Sequence, residues 1–301
     1  MLAIVKYSKK DGEIGMEYFL FPEFNKKLND VSFQVLESCD FHGDKHWNFS
    51  NEYANYSKLF YFYEGSGYII YNGEKIEMIS GNVYFLPAGI SYGFLCLSSM
   101  KKVYHFVQAL MIDGTDLFEQ VHEVIQMPYS VEKIKEMIAL MEEGSIASAY
   151  AYNVQMYVTM AQVIKITQEK GYELTIPEYP NHILKMLRYI DYNLSAQLRV
   201  ADCAKYMNVT PTTLTKQFQK HIGKTPKSFI SAALLRKSKQ LLLEGYKVKE
   251  VSEELSFCDP YHFSRFFTQY VSFSPREFQK RNNGNLRYRY WDEHSTRKQS
   301  F

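Results

Sequence analysis

Between Val31 and about Gln108, short aromatic and β-branched runs are separated by turn signals. Lys58–Tyr63, Tyr68–Tyr71, Val83–Leu86 and Lys102–Ala109 are such runs, and they predict strands. Glu64-Gly65-Ser66-Gly67 and Asn72-Gly73 fall between them, and Asn-Gly between strands is a hairpin signal. Many short strands at this spacing predict a small β-barrel or double sheet. Alternation puts Lys58, Phe60 and Phe62 on one face of their strand and Tyr61 and Tyr63 on the other. The pattern does not say which face turns inward. From Thr115 to Lys170 the period changes to that of a helix. Leu117, Val121, Val124 and Ile125 form one stripe, and Ile134, Met137, Ile138 and Met141 a second. Val154, Tyr157, Val158 and Met160 begin a third that ends near Lys170. The segment 171–180, GYELTIPEYP, carries no period and reads as a linker.

Beyond the linker the helical pattern is written twice. Thr210, Leu214, Phe218, Gly223, Thr225-Pro226 and Phe229 recur 49 residues later as Asp259, Phe263, Phe267, Ser272, Ser274-Pro275 and Phe278. Thr210-Pro211 and Asp259-Pro260 each set an N-cap acceptor before a proline at the first helical position. Val200–Tyr206 and Val248–Leu255 predict short helices upstream, separated from the capped helices by tight turns. Helix, short turn and capped second helix make the helix-turn-helix arrangement. The stretch from Pro226 to Leu243 predicts one helix of about 27 Å. Such a rod can hold two recognition helices near one DNA turn, about 34 Å, apart.

Charge sharpens this division. The chain has 301 residues and a net charge of +2. Residues 181–301 hold 21 basic and 10 acidic side chains, whereas 1–180 hold 14 and 23. The resulting +11 and −9 suggest one domain that meets a polyanion and one that does not. The four cysteines are far apart and form no CxxC pair, which argues against structural zinc and a disulfide framework. No apolar run approaches the roughly 20 residues that cross a bilayer. The opening MLAIVKYSKKDGEIG does not read as a signal peptide. A cytoplasmic protein without membrane contact is expected.

The segment from Leu198 to Arg281 resembles the DNA-binding domain of the arabinose-regulator (AraC/XylS) family. The resemblance is carried above all by Phe257-x-Asp259-x-x-x-Phe263-Ser264-Arg265-x-Phe267 and Ser274-Pro275-x-x-Phe278. Ser252, Ser256 and Ser272 stand where that family usually has Ala, Gly and Gly, and Phe278-Gln279 replaces Tyr-Arg. Arg199 sits at a common Ser or Thr cap. With Leu214 and Phe218 buried, helical spacing turns Thr212, Thr215 and Lys216 outward. With Phe263 and Phe267 buried, it does the same for Tyr261, Ser264 and Arg265. The resemblance implies that these positions reach base edges or nearby phosphates of double-stranded DNA. Arg265 suits the O6/N7 pair of guanine, and Lys220, Lys224 and Lys237 suit phosphates. For any one lysine, a solvated surface charge explains the residue equally well.

Gly81-x5-Pro87-x-Gly89-x-x-Tyr92 resembles the second motif of the cupin barrel, with Tyr92 where metal-binding members carry histidine. No His-x-His pair exists for the first motif, and His42 and His46 lack a third ligand at matching spacing, so neither a metal nor another cofactor is expected. The cupin comparison favours Lys58, Phe60 and Phe62 as the inward set, with Trp47, Tyr84, Tyr92 and His105 as further pocket residues. Aromatic residues in a barrel also serve simply as core. The family resemblance implies a small-molecule effector, often a sugar, a homodimer through the N-terminal half, and RNA polymerase as a further partner.

The expected fold is therefore α+β and multidomain: a cupin-like barrel with trailing helices, then an all-α domain with two helix-turn-helix motifs joined by a long helix. The expected boundaries are 1–112 for effector sensing, 113–170 for a helical connector and dimerisation region, 171–180 for the linker, 181–284 for DNA binding, and 285–301 for a basic tail. The function implied is sequence-specific transcription regulation. A cupin-type enzyme with a basic accessory domain is the alternative, and it would need a ligand triad or acid/base pair that the sequence does not show.

Overall fold

The computed structural model describes residues 9–10, 13–14, 31–54 and 56–282. The expected basic tail 285–301 lies outside the described residues. The chain divides into two compact units whose main boundary falls between Pro177 and Glu178, with Val35–Cys39 and Tyr104–Phe106 grouped with the second.

The first unit is sheet-rich. Among the described residues, a two-stranded ladder, β1 (Lys9–Lys10) and β2 (Glu13–Ile14), precedes nine further strands. These are β3 (Val31–Gly43), β4 (Phe49–Tyr53), β5 (Ser57–Glu64), β6 (Gly67–Tyr71), β7 (Glu74–Glu77), β8 (Asn82–Leu86), β9 (Ser91–Cys96), β10 (Met100–Met111) and β11 (Ile125–Pro128). They form a five-stranded sheet, β11-β8-β5-β10-β3, and a four-stranded sheet, β4-β9-β6-β7. This corresponds to the double-sheet alternative. Asn72 and Gly73 both take positive φ (50° and 81°), which suits a two-residue hairpin turn between paired Tyr71 and Glu74.

The first helical stripe expected downstream is not a helix. Residues 113–124 form turns and a bridge, and Ile125–Pro128 is a strand paired with β8. Asp116 diverts the chain: its carboxylate accepts from the backbone N–H of Phe118 (2.9 Å) and of Ala109 (3.3 Å). Leu117, Val121, Val124 and Ile125 matched a helical period by coincidence over a short run, and the sheet claimed the segment.

Two helices follow: α1 (Val131–Glu143), capped by Ser130, and α2 (Ile146–Glu169), capped by Ser145. Ile134 and Met137 of α1 are buried as expected. The α2 stripe is displaced, because the buried face is Tyr152, Met156, Thr159, Met160 and Val163, while Val154, Tyr157 and Val158 are exposed. Both helices share one core with Leu59, Tyr61, Val83, Phe85, Val103 and Val107 of the larger sheet.

The second unit is helical: α3 (Asn181–Tyr192), α4 (Val200–Tyr206), α5 (Pro211–Ile222), α6 (Pro226–Leu243), α7 (Val248–Glu254), α8 (Pro260–Val271) and α9 (Pro275–Asn282). Its core joins Leu214 and Phe218 of α5, Phe229, Leu234 and Leu242 of α6, and Phe263 and Phe267 of α8. Ring pairs Phe218–Phe229 and Phe267–Phe278, at 5.3 and 5.4 Å, repeat the same contact in the two halves.

Candidate nucleic-acid interface and effector site

The two halves of the helical unit repeat down to single hydrogen bonds. Thr210 Oγ1 accepts from the Thr213 N–H (3.1 Å), and Asp259 Oδ1 accepts from the His262 N–H (2.7 Å). One turn in, the Thr215 hydroxyl donates to the Pro211 carbonyl (2.8 Å), and Ser264 donates to that of Pro260 (2.7 Å). Both helices end on a left-handed residue, Gly223 at φ 75° and Ser272 at φ 66°. The upstream helices match as well. The N–H of Arg199 is accepted by Asp202 (2.9 Å) and that of Lys247 by Glu250 (2.7 Å), so in both copies the carboxylate three residues on reaches back to the cap residue as in one half of a capping box.

The copies differ in their turns. Asn208 (φ 52°) matches Ser256 (φ 56°) at an offset of 48, not 49, because exposed Cys258 adds one residue before the second capped helix. Gln279, the departure beside Phe278, donates to the carbonyls of Leu242 (3.1 Å) and Tyr246 (2.9 Å), tying α9 to the end of α6.

The outward faces carry the expected side chains. Thr212, Lys216, Lys220 and Lys224 are exposed, and Thr215 is half-buried. On α8, Tyr261 is 73 % exposed and Arg265 is exposed, its guanidinium 5.9 Å from the Tyr261 ring centre, while Ser264 is half-buried. Thr215 and Ser264 spend their hydroxyl protons on the preceding turn and keep only acceptor capacity for a partner. Lys237 of α6 is half-buried and donates to the side-chain oxygen of Gln240 in its own helix (3.1 Å).

In the sheet unit the inward question is answered by what each face meets. Leu59 and Tyr61 pack on the helices. Lys58 and Phe60 meet Phe94 of the opposite sheet, the rings 5.5 Å apart. Trp47 lies 5.0 Å from Phe94. Thus Trp47, Lys58 and Phe60 come together between the sheets. Tyr84 pairs with Phe60 across the strands, but its hydroxyl is engaged, donating to the Glu77 carbonyl and accepting from the Ile79 N–H. Tyr92 is buried and donates to the Pro87 carbonyl (2.9 Å), and Phe62 is fully buried. His105 stands apart, since alternation along β10 puts it with Val103 and Val107, not with Lys102. Its ring meets the Ser38 hydroxyl at 2.9 Å, and burial holds its pKa down to about 3, so it is neutral.

Sequence reasoning missed Lys102, Phe41 and Phe94. The Lys102 ammonium lies 3.6 Å from the Phe60 ring centre, 3.7 Å from Trp47, 5.2 Å from Phe41 and 5.5 Å from Phe94. A lysine opening a predicted strand was the available signal. His42 is exposed and sits 3.1 Å from Asp40 and 3.2 Å from the Tyr63 hydroxyl.

Residues 203–281 match a model of the helix-turn-helix domain. Over 270 residues the chain is 23 % identical to the lactose operon transcription activator of Staphylococcus xylosus, covering 86 % of this chain and 95 % of that protein. It is 22 % identical over 286 residues to the Msm operon regulatory protein of Streptococcus mutans, covering 87 % and 96 %. Among solved structures, ToxT from Vibrio cholerae aligns with 83 % of this chain and 98 % of its own at 14 % identity and a TM-score of 0.41.

Proposed function

We propose that this chain, a member of the arabinose-regulator (AraC/XylS) family of transcription regulators, reads operator DNA with both α5 and α8 under the control of a small molecule held between the two sheets of its cupin-like N-terminal unit. The observation that carries the reading is the duplicated capped helix. Each copy buries one aromatic-rich face and presents hydroxyl and cationic side chains on the other: Thr212, Thr215, Lys216 and Lys220 on α5, and Tyr261, Ser264 and Arg265 on α8. Arg265 carries base recognition, and the exposed lysines neutralise phosphates. Arg265→Ala in a gel-shift titration is expected to cost about 1–3 kcal/mol of specific binding. Unchanged operator affinity would reject this role.

The effector belongs with Trp47, Lys58, Phe60, Phe62, Tyr84 and Tyr92, and a sugar is the class the resemblance implies. His105, neutral and on the other strand face, supports β3–β10 packing in this reading. The protein works in the cytoplasm as a homodimer, with RNA polymerase as its partner at the promoter. Support for the dimer comes from the outer face of α2, where Ile146, Tyr150, Val154, Tyr157 and Val158 are exposed at helical spacing. A monomer mass by light scattering at micromolar concentration would count against it.

A further inference from the structure

The geometry points to a separate small-molecule site in the seam between the two helix-turn-helix halves, which takes a flat apolar molecule bearing one anionic group. The site lies wholly inside the helical unit and stands independently of the effector reading for the sheets.

A cavity of about 350 Å³ opens where the first half, the long helix α6 and the second half meet. Leu198 comes from the approach to α4, Ile230 and Leu234 from α6, and Phe257 and Phe266 from the second motif. The volume is at the small end of the range for ligand cavities and admits a fused pair of rings. The second motif makes an aromatic wall. The rings of Phe257 and Phe266 lie 5.3 Å apart, and the His262 ring meets Phe257 edge-on at 5.7 Å. Phe257 is buried and Phe266 half-buried, so this apolar wall runs from the core out to solvent.

The charged and basic groups that line the cavity have one sign. They are Arg199, Lys227 and His262, all three exposed, and no aspartate or glutamate is among the described residues that line it. Asp202 and Asp259, the carboxylates nearest along the chain to Arg199 and His262, each accept a backbone N–H at a helix cap, at 2.9 and 2.7 Å. An apolar interior with cations at its mouth matches a molecule whose rings enter while its carboxylate or phosphate stays at the rim. A bare phosphate would leave the apolar wall unfilled, and a neutral ring would gain nothing from the cations. The place also has leverage. The Ala196 N–H donates to the Leu255 carbonyl (2.8 Å), which ties the approach to α4 to the end of α7 beside the cavity. A molecule touching Leu198, α6 and Phe266 at once adds a second tie between the halves and holds α5 and α8 in one relation.

The test is isothermal titration calorimetry on the full chain with 2-naphthoate, 2-naphthyl phosphate and the neutral 2-naphthamide. The titrations run to about 10 mM, because a ligand of this size binds on the order of 0.1–1 mM. They are repeated on Arg199→Gln, Lys227→Gln and Ser231→Phe, each checked by circular dichroism and thermal melting. Ser231 is a half-buried residue of the cavity wall, and a ring there fills the space. At least one of the two anions is expected to bind about tenfold tighter than the amide. Each glutamine variant should weaken that anion about threefold to tenfold, and Ser231→Phe should abolish its binding. The two anions separate carboxylate from phosphate as the head group. Amide binding as tight as that of both anions would overturn the charge selectivity, and so would anion binding that both glutamine variants retain. Anion binding that survives in folded Ser231→Phe lies elsewhere and overturns the site. If no probe binds, the inference falls. Loss of operator affinity in Lys227→Gln would then make the seam a DNA-backbone contact instead.

Discussion

The paired helix ends, Gly223 and Ser272, permit a reciprocal test of whether the repeat is physical. Both residues close a capped helix in the left-handed region, at φ 75° and 66°. A residue with a Cβ is disfavoured there by about 1–2 kcal/mol, and glycine is not. Glycine returns about 0.4–1 kcal/mol of that advantage through its freer unfolded chain. A Cβ added at Gly223 would meet nothing within 4 Å, so packing does not enter. Gly223→Ser should therefore destabilise the helical unit by roughly 0.5–1 kcal/mol, and Ser272→Gly should stabilise it by a similar amount. For a domain of this size that is a shift of several degrees in Tm, downward and upward respectively. Thermal melting and urea unfolding of the full chain would read it, with m values unchanged. The reasoning is refuted if Ser272→Gly lowers Tm, or if both substitutions move it in the same direction.

Further expectations follow from the same geometry. Phe218→Ala and Phe267→Ala, at equivalent fully buried positions, should each cost about 3–5 kcal/mol in urea unfolding, and a cost near zero for either would remove it from the core. Burial lifts the Asp116 carboxyl to about 6, from an ordinary 3.8, against the two backbone N–H bonds that pull it down. The folded state then binds its proton more tightly than the unfolded chain, so this group favours folding increasingly as pH falls from about 6 to 4. Melting curves should show the wild type gaining on Asp116→Asn across that window, and a constant difference would mean that Asp116 does not titrate there. Tyr150→Glu with Val154→Glu, on the exposed face of α2, should give a monomer by light scattering without loss of helix content. A dimer that survives both changes uses another surface.

How much of this was legible in the chain differs between the units. The helical unit is locally specified. Caps at Thr210, Thr225, Asp259 and Ser274, prolines directly after them, and apolar residues four apart act within a few residues of each other, so local signals located α5, α6, α8 and α9. The extra residue Cys258 and the carboxylates of Asp202 and Glu250 that reach back to the helix caps were obscured by the dominant offset of 49. In the sheet unit, strands were legible and their partners were not, because pairing joins residues far apart in sequence. Leu117 to Ile125 matched a helix period, yet Asp116 and the open edge of β8 made the end of that run a strand. The buried face of α2 was likewise displaced, since a helix with apolar residues all around does not declare which side the sheet will take. Alternation alone divided Lys58, Phe60 and Phe62 from Tyr61 without naming the inner face. Only tertiary structure decided it, by packing Tyr61 under the helices and bringing Lys102 from a distant strand into the same rings. Side-chain period is a property of one segment, whereas the environment each face meets is set by whichever distant segment covers it.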